Sequence, residues 1–235
     1  MDWVDNWLNI IQDYWLPPTC LLCGNAGERP RDLCQACYGQ LLRPTQHCYQ
    51  CAEPLPSPSA VPLRCGRCIS RRPAFDETHA AFVYDDALRY LVTGLKFAAH
   101  YKNARLLGHL LAETVRQNAE TPQLLIPVPL HKHRYRQRGF NQSLEIARTV
   151  AHSLNIPLRV DACQRCHDTP QQSRLNAKQR RQNLRHAFVV AKPLNVRHVA
   201  IIDDVMTTGS TVHEVAKVLK KAGVERVDVW VCARA

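Results

Sequence analysis

Beyond Pro73, short apolar runs alternate with amphipathic segments. The runs predict buried strands, and apolar residues spaced three and four apart predict helices. The predicted strands are 80–84, 124–128, 188–191, 199–202 and 227–232. The predicted helices are 86–97, 103–116, 141–154 and a last one that follows residue 211 and ends near Gly223. This alternation predicts a doubly wound parallel sheet of the α/β class.

Residues ahead of Pro73 lack this alternation and carry cysteines instead. Eight of the eleven cysteines form four C-x-x-C pairs: Cys20/Cys23, Cys34/Cys37, Cys48/Cys51 and Cys65/Cys68. Two such pairs complete a tetrahedral site suited to Zn²⁺, and with four cysteine ligands no position is left for water, so two structural sites are expected. Spacing favours sequential pairing but leaves open the pairing of the first with the third. A disulfide framework is the alternative, which a reducing compartment disfavours.

These two patterns give the domain organisation. We expect an amphipathic helix over residues 1–16, a double zinc ribbon over 17–72 and an α/β domain over 73–235. The N-terminal helix carries Trp3, Trp7 and Trp15, and its polar face is acidic, which favours docking onto protein over an anionic membrane. No apolar run of about 18 residues and no secretory signal is visible, so a cytoplasmic protein that is not transmembrane is expected.

Residues 199–211 read VAIIDDVMTTGST and carry the most specific motif. A buried strand is followed by two carboxylates, a loop of small and hydroxyl residues, and a helix N-terminus that favours phosphate. A plain strand-to-helix turn explains a capping Ser210 or Thr211, but not an acidic pair followed by Thr-Thr-Gly. The string resembles the 5-phosphoribosyl-1-pyrophosphate (PRPP) signature of type I phosphoribosyltransferases. The resemblance implies PRPP binding, with Mg²⁺, by Asp203, Asp204, Val205, Thr207, Thr208, Gly209, Ser210 and Thr211.

The net charge of +11 is concentrated in one part of the chain. Between residues 126 and 202 there are fourteen Lys and Arg residues against three acids, which accounts for the whole excess. A polyanion-facing surface for nucleic acid, pyrophosphate or both is expected, a merely solvated basic face being the alternative.

Three further segments belong to a family pattern: PVPLHKHRYRQRGFNQ at 127–142, GLKF at 94–97, and TPQQSRL at 169–175 with Arg180, Asn183 and Phe188. With the double zinc ribbon, they resemble the ComF family of DNA-utilisation proteins from about Pro17 to the end of the chain. The resemblance implies a type I phosphoribosyltransferase fold and an association with natural competence and incoming DNA. Cys163 and Cys166 form a fifth C-x-x-C pair outside this pattern and are expected to be surface thiols.

The chemistry of PRPP suggests roles for the charged residues. Loss of pyrophosphate from C1 passes through an oxocarbenium-like state, and the catalytic candidates are Asp203, Asp204 and Lys96, which resembles the pyrophosphate-loop position. The candidates for contact with pyrophosphate or nucleic acid are Arg134, Arg136, Arg138, Asn141, Arg174, Arg180 and Arg181. The basic segment 169–185 resembles the loop that closes over the leaving group in this fold.

These features favour a protein that binds PRPP, or a related phosphoribosyl ligand, and single-stranded DNA, and that assists uptake or use of incoming DNA. Tyr135 and Phe140 alternate with arginines and are the candidates for stacking bases, with a place in the core as the alternative for Phe140. The alternatives are an active phosphoribosyltransferase with an unidentified nucleotide or DNA acceptor, and a PRPP-sensing regulator of DNA affinity. A DNA-translocation protein is a further candidate partner, which would place the chain peripherally at the inner face of the membrane.

Overall fold

A four-stranded parallel sheet organises the larger part of the chain. The computed structural model describes residues 18–29, 31–56, 61–167 and 186–235, in two compact units, Met1–Leu42 and Arg43–Ala235. The strands are β1 (Glu77–Val83), β2 (Leu124–Pro127), β3 (Cys163–Arg165), β4 (Phe188–Val190), β5 (His198–Met206) and β6 (Arg226–Arg234). The helices are α1 (Gln35–Gln40), α2 (Gly66–Ser70), α3 (Asp86–Ala98), α4 (Tyr101–Asn118), α5 (Lys132–Arg138), α6 (Gln142–Leu154) and α7 (Ser210–Lys221).

The strand order in the parallel sheet is β1-β6-β5-β2. Helices α4 and α6 pack against each other and against the sheet, while α7 packs on β6. The side chains of Val199, Ile201 and Val229 share a buried cluster with Val215 and Leu219 of α7, and the thiol of Cys232 instead contacts the carbonyl of Leu107 on α4. Both faces of the sheet are therefore covered, which explains the near-continuous apolar character of β5 and β6.

Strand β5 is longer than predicted and contains the two carboxylates. The sequence predicts a strand over 199–202, whereas the ladder with β6 continues through Asp203 and Val205 to Met206. Strand β2 ends at Pro127, opposite Ile202. Beyond Ile202, β5 therefore pairs only with β6, and the side that β2 would otherwise occupy is open to polar side chains.

The predicted strand 188–191 lies outside the parallel sheet. It forms β4, which pairs antiparallel with β3 in a separate two-stranded sheet. Phe188 and Cys163 are buried on this small sheet, whereas Val189 is exposed. This alternation is typical of antiparallel strands with one solvated face. The expectation of a surface thiol is therefore wrong for Cys163, whose pKa burial raises to about 12; Cys166 is exposed, as expected.

The second half of the cysteine-rich region packs on the sheet within the larger unit. The Gln50 side chain donates to the carbonyl of Phe75, and Thr78 at the start of β1 donates to the carbonyl of Gln50. Arg234 at the end of β6 donates to the carbonyl of Cys51 at 3.0 Å. These bonds join the second cysteine group to the α/β body, so that both belong to the compact unit that begins at Arg43.

Two expected segments lie outside the described residues: the N-terminal helix 1–16, and the whole basic segment 169–185 with Arg174, Arg180 and Arg181. Within the described ranges, no helix has both the length and the apolar character needed to cross a bilayer.

Candidate functional site

A cavity of about 530 Å³ opens at the carboxyl ends of β2 and β5. We call it the carboxylate cavity. Its lining comes from α3, the segment after β2, α5, β3 and the β5–α7 loop, and comprises Tyr84, Lys96, Phe97, Val128–Leu130, Arg134, Arg138, Gln142, Arg165 and residues 203–212. This is the position where ligands bind in open parallel sheets. The structure thus brings together all eight residues of the predicted PRPP motif with Lys96, Arg134 and Arg138.

Asp203 and Asp204 form the floor of the carboxylate cavity and are almost fully buried. The Ser143 hydroxyl donates to Asp203 Oδ1 at 2.8 Å, and the Asp204 N–H donates to the same oxygen at 3.0 Å. Burial and the neighbouring charge of Asp204 nevertheless raise the pKa of Asp203 to about 7. Its carboxyl group is therefore poised to change protonation state near neutral pH.

Lys96 supplies the cation for this acidic pair. Its Nζ lies 2.7 Å from Asp204 Oδ2, and the two side chains are 25% and 5% exposed. Burial opposes the charged ammonium, but the charge of Asp204 outweighs it, so that the pKa of Lys96 is raised. Helix α3 is held in place at its start by the Asp85 carboxylate, which accepts from the Leu88 N–H at 2.9 Å.

The β5–α7 loop wraps backbone and hydroxyl groups around one end of the cavity. Gly209 begins α7 with φ +73°, a conformation that favours glycine. A Cβ atom there would lie 2.8 Å from the methyl group of Met206. The Thr208 and Ser210 hydroxyls lie 2.8 Å apart, Thr208 Oγ1 accepts from the Ser210 N–H at 3.4 Å, and the N-cap residue Gly209 has no side chain to cap the helix. The N-terminus of α7 therefore faces the cavity as an anion-binding end of the helix.

Cationic side chains form the opposite wall. Arg134 and Arg138 are one helical turn apart on α5 and both line the cavity, whereas Arg136 is exposed and does not line it. The Arg138 guanidinium lies 5.9 Å from the centre of the Phe97 ring. Arg165 joins them from β3.

Asn141 and Phe140 have structural positions. Asn141 caps α6: its side chain donates to the carbonyl of Val128 and accepts from the N–H of Ser143. It does not line the carboxylate cavity. Phe140 is 4% exposed and packs against the ring of Tyr101 at 5.1 Å. The prediction that Phe140 stacks bases is therefore wrong, because its ring is buried; Tyr135 is 48% exposed.

Sequence reasoning missed Ser143, Arg165 and Phe97 as parts of this site. Ser143 directly follows the family segment 127–142, and this position next to the segment could have indicated that Ser143 belongs to the site. Phe97 ends the GLKF segment, and its ring is 76% exposed. Arg165 lies between Cys163 and Cys166, a C-x-x-C pair that was expected only to provide surface thiols, and nothing in its local sequence indicates that β3 reaches the cavity.

The cysteines gather into two groups of four in the sequential pairing, Cys20/Cys23/Cys34/Cys37 and Cys48/Cys51/Cys65/Cys68, with all sulfurs of a group within 4.8 Å. Thiolates around one tetrahedral Zn²⁺ lie about 3.8 Å apart, since Zn–S is about 2.3 Å. The Cys23–Cys34 and Cys51–Cys65 sulfur distances are 3.7 and 3.6 Å. The donor set and spacing fit zinc, and the crossed pairing is not formed.

Comparisons with known proteins agree with this architecture. Residues 11–69 match the double zinc ribbon domain family, and residues 141–235 match the phosphoribosyl transferase domain family. Competence protein F of Haemophilus influenzae is 36% identical over 225 residues, covering 92% of this chain and 96% of that protein.

Two further relatives match this chain over shorter stretches. DNA utilization protein YhgH of Salmonella typhimurium is 34% identical over 86% of this chain and 90% of its own length. Competence protein ComFC of Streptococcus pneumoniae is 24% identical over 66% of this chain and 67% of its own. The chain has a phosphoribosyltransferase-like parallel sheet preceded by a double zinc ribbon, and it belongs to the ComF family of competence and DNA utilization proteins.

Proposed function

We propose that this chain binds PRPP with Mg²⁺ in the carboxylate cavity, binds single-stranded DNA on the adjoining basic surface, and acts in the uptake or use of incoming DNA. One observation carries the proposal: a single cavity combines two buried carboxylates, a phosphate-type loop at a helix N-terminus and a cationic wall. The DNA role is supported by the relatives, whose names refer to competence and DNA utilization. In this proposal the protein works in the cytoplasm, where it receives strands from a translocation protein in the membrane.

The parts of PRPP correspond to the parts of the cavity. The loop from Thr207 to Thr211 would take the 5-phosphate through N–H and hydroxyl donors. Asp203 and Asp204 would accept from the ribose hydroxyls. The pyrophosphate would lie against the cationic wall of Arg134 and Arg138.

Magnesium fits this donor set because Mg²⁺ prefers carboxylate, phosphate and water oxygens. The carboxylates of Asp203 and Asp204 are the residues that would hold it, directly or through water. When bound, the ion neutralises the charge of the pyrophosphate.

The single-stranded DNA part rests on exposed aromatic rings beside arginines. Phe97 on α3, with its ring 5.9 Å from the Arg138 guanidinium, and Tyr135 on α5, next to Arg134 in the chain, are both exposed. Bases stack on such rings with little sequence preference, while arginines follow the phosphates. Binding should weaken with salt, with a slope of about −0.7 per neutralised phosphate.

Catalysis is the second candidate function, and the intact Lys96–Asp204 pair favours it. A phosphoribosyltransferase must stabilise positive charge at C1 while pyrophosphate leaves. The Asp203 and Asp204 carboxylates lie at the floor, where they could do so. This candidate predicts release of pyrophosphate from PRPP in the presence of a nucleotide or DNA acceptor, and loss of that release in Asp203→Asn/Asp204→Asn.

The test is calorimetric titration of PRPP and Mg²⁺ into zinc-loaded protein. Asp203→Asn/Asp204→Asn should abolish binding, and Arg134→Ala/Arg138→Ala should weaken it at least about tenfold. Arg136→Ala is the matched control, since this arginine lies on the same helix but outside the cavity. No heat with the wild-type protein, or equal binding by all variants, would refute the PRPP site.

DNA binding is measured separately, by fluorescence anisotropy of a labelled oligo(dT) at several salt concentrations. Phe97→Ala and Arg134→Ala/Arg138→Ala should each weaken it. Absent or salt-independent binding would refute the DNA part and leave the PRPP part standing.

A further inference from the structure

A second cavity of about 510 Å³ lies on the other side of the β5–α7 loop. We call it the ribbon cavity. One wall is α2 of the second cysteine group and the segment that follows it, and the other is the first half of α7. Met206, Thr208, Gly209 and Ser210 line both cavities. The PRPP proposal uses only the loop residues that the two cavities share, and none of the other residues of the ribbon cavity.

The ribbon cavity has an excess of positive charge. It is lined by Arg67, Arg71, Arg72 and Lys217, and Glu214 is the one acid among its described lining residues. The charge of Arg67 is already engaged, since its guanidinium donates to Glu53 at 2.9 Å and lies 4.0 Å from the sulfur of Cys51. Arg71, Arg72 and Lys217 therefore face one carboxylate, that of Glu214, together with the sulfurs of Cys51 and Cys68 from the second cysteine group.

The remaining lining provides apolar surface and one oriented donor. Pro73, Phe75 and Met206 contribute the apolar part. The Nδ1 atom of His213 accepts from the Ala74 N–H at 3.0 Å, so the proton of the neutral ring is on Nε2. Burial lowers the pKa of His213, which favours this neutral form.

We infer that the ribbon cavity binds a nucleotide, with its phosphate on Arg71, Arg72 and Lys217 and its base against the apolar part. The volume lies in the range of small-molecule sites, which combine apolar surface with a few fixed polar groups. Arginine is the side chain best suited to phosphate because its guanidinium offers paired donors. The nucleotide is either free or the 5′-phosphorylated end of a DNA strand, since both present the same phosphate and base.

The experiment uses the full-length, zinc-loaded protein and equilibrium binding of dAMP, deoxyadenosine and a 5′-phosphorylated oligo(dT). Arg71→Ala/Arg72→Ala should weaken binding of the phosphorylated ligands at least about tenfold. Both arginines are exposed, so their removal should leave the fold intact. Lys221→Ala is the matched control: it lies in the last turn of the same helix, is exposed and does not line the cavity.

The two cavities are told apart by their own variants. For dAMP, dependence on Arg71 and Arg72 with little effect of Arg134→Ala/Arg138→Ala supports the inference. For the oligonucleotide, whose chain Arg134 and Arg138 also contact in the proposed function, the supporting result is tighter binding than that of unphosphorylated oligo(dT), a preference that only Arg71→Ala/Arg72→Ala removes. The reverse dependence would place the nucleotide in the carboxylate cavity and overturn it, as would tight binding of deoxyadenosine or no binding of either phosphorylated ligand. Binding of dAMP identifies a free nucleotide as sufficient, and binding of the oligonucleotide alone identifies a strand end.

Discussion

Replacing Lys96 with methionine isolates the ion pair at the floor of the carboxylate cavity. The substitution keeps an unbranched chain of similar size but removes the ammonium 2.7 Å from Asp204 Oδ2. Two adjacent carboxylates, both almost fully buried, then lack their nearest cation. We expect a loss of stability that depends on pH.

The magnitude follows from the burial of the pair. Removing one partner of a buried ion pair costs about 3–5 kcal/mol, because the other charge remains without compensation. The protein can instead protonate a carboxylate, and for an ordinary aspartate with a pKa of about 3.9 this costs about 4.9 kcal/mol at pH 7.5 and about 2.2 kcal/mol at pH 5.5. These costs of protonation are upper limits on the loss of stability at each pH. The loss for Lys96→Met should therefore be about 3–5 kcal/mol at pH 7.5 and no more than about 2 kcal/mol at pH 5.5.

Urea unfolding of the zinc-loaded protein at both pH values measures this loss. Asp204→Asn in the Lys96→Met background should recover most of the stability at pH 7.5, since it removes the carboxylate charge that Lys96 no longer compensates. Lys102→Met, an exposed lysine on α4, is the control and should change stability by less than about 0.5 kcal/mol. A loss that is equal at the two pH values, or that Asp204→Asn does not relieve, would refute the reasoning.

Three further predictions concern the same unit. Burial and the charge of Asp204 hold the pKa of Asp203 at about 7, above its unfolded value, so ionisation of this group costs stability as the pH rises towards 7. The ionised form favours binding of PRPP with Mg²⁺, and the calorimetric affinity should therefore rise about tenfold from pH 6 to pH 8. Asp203→Asn should remove the part of the pH dependence that comes from this group. Gly209→Ala should cost about 1–2 kcal/mol from the positive φ and also weaken PRPP binding, whereas Gly223→Ala, with φ +96° and open space around it, should cost stability but leave binding unchanged. Cys65→Ser should lower the thermal stability of the α/β body and release zinc, since the second cysteine group is hydrogen-bonded to the sheet. Cys166→Ser changes an exposed thiol outside both groups and should do neither. Equal melting temperatures of the two variants would contradict this account.

The local elements and the local motifs could be predicted from the sequence. Helix α6 was expected over 141–154 and runs from Gln142 to Leu154, because its apolar period and its capping asparagine are both written in adjacent residues. The two cysteine groups were equally predictable, since each knuckle is formed by two cysteines that have only two residues between them. The loop from Thr207 to Thr211 belongs to the same class: strand, loop and helix follow one another directly.

The tertiary structure decided which distant residues meet. Ser143 and Asp203 are 60 residues apart in the chain, yet they share a hydrogen bond. Lys96 on α3 likewise forms an ion pair with Asp204 on β5, far along the chain. Sequence patterns report the local period of burial, but these contacts depend on the strand order β1-β6-β5-β2 and on how helices pack across it. For the same reason, the sequence could not tell that Phe140, among polar and basic neighbours, would be buried, or that Phe97, beside Leu95 and Ala98, would be exposed. The chain itself determined the types of side chain, four-cysteine groups and a hydroxyl-rich loop after two carboxylates; the fold determined which of the candidate cations face the carboxylates, because Lys96, Arg134 and Arg138 line the cavity and Arg136 does not.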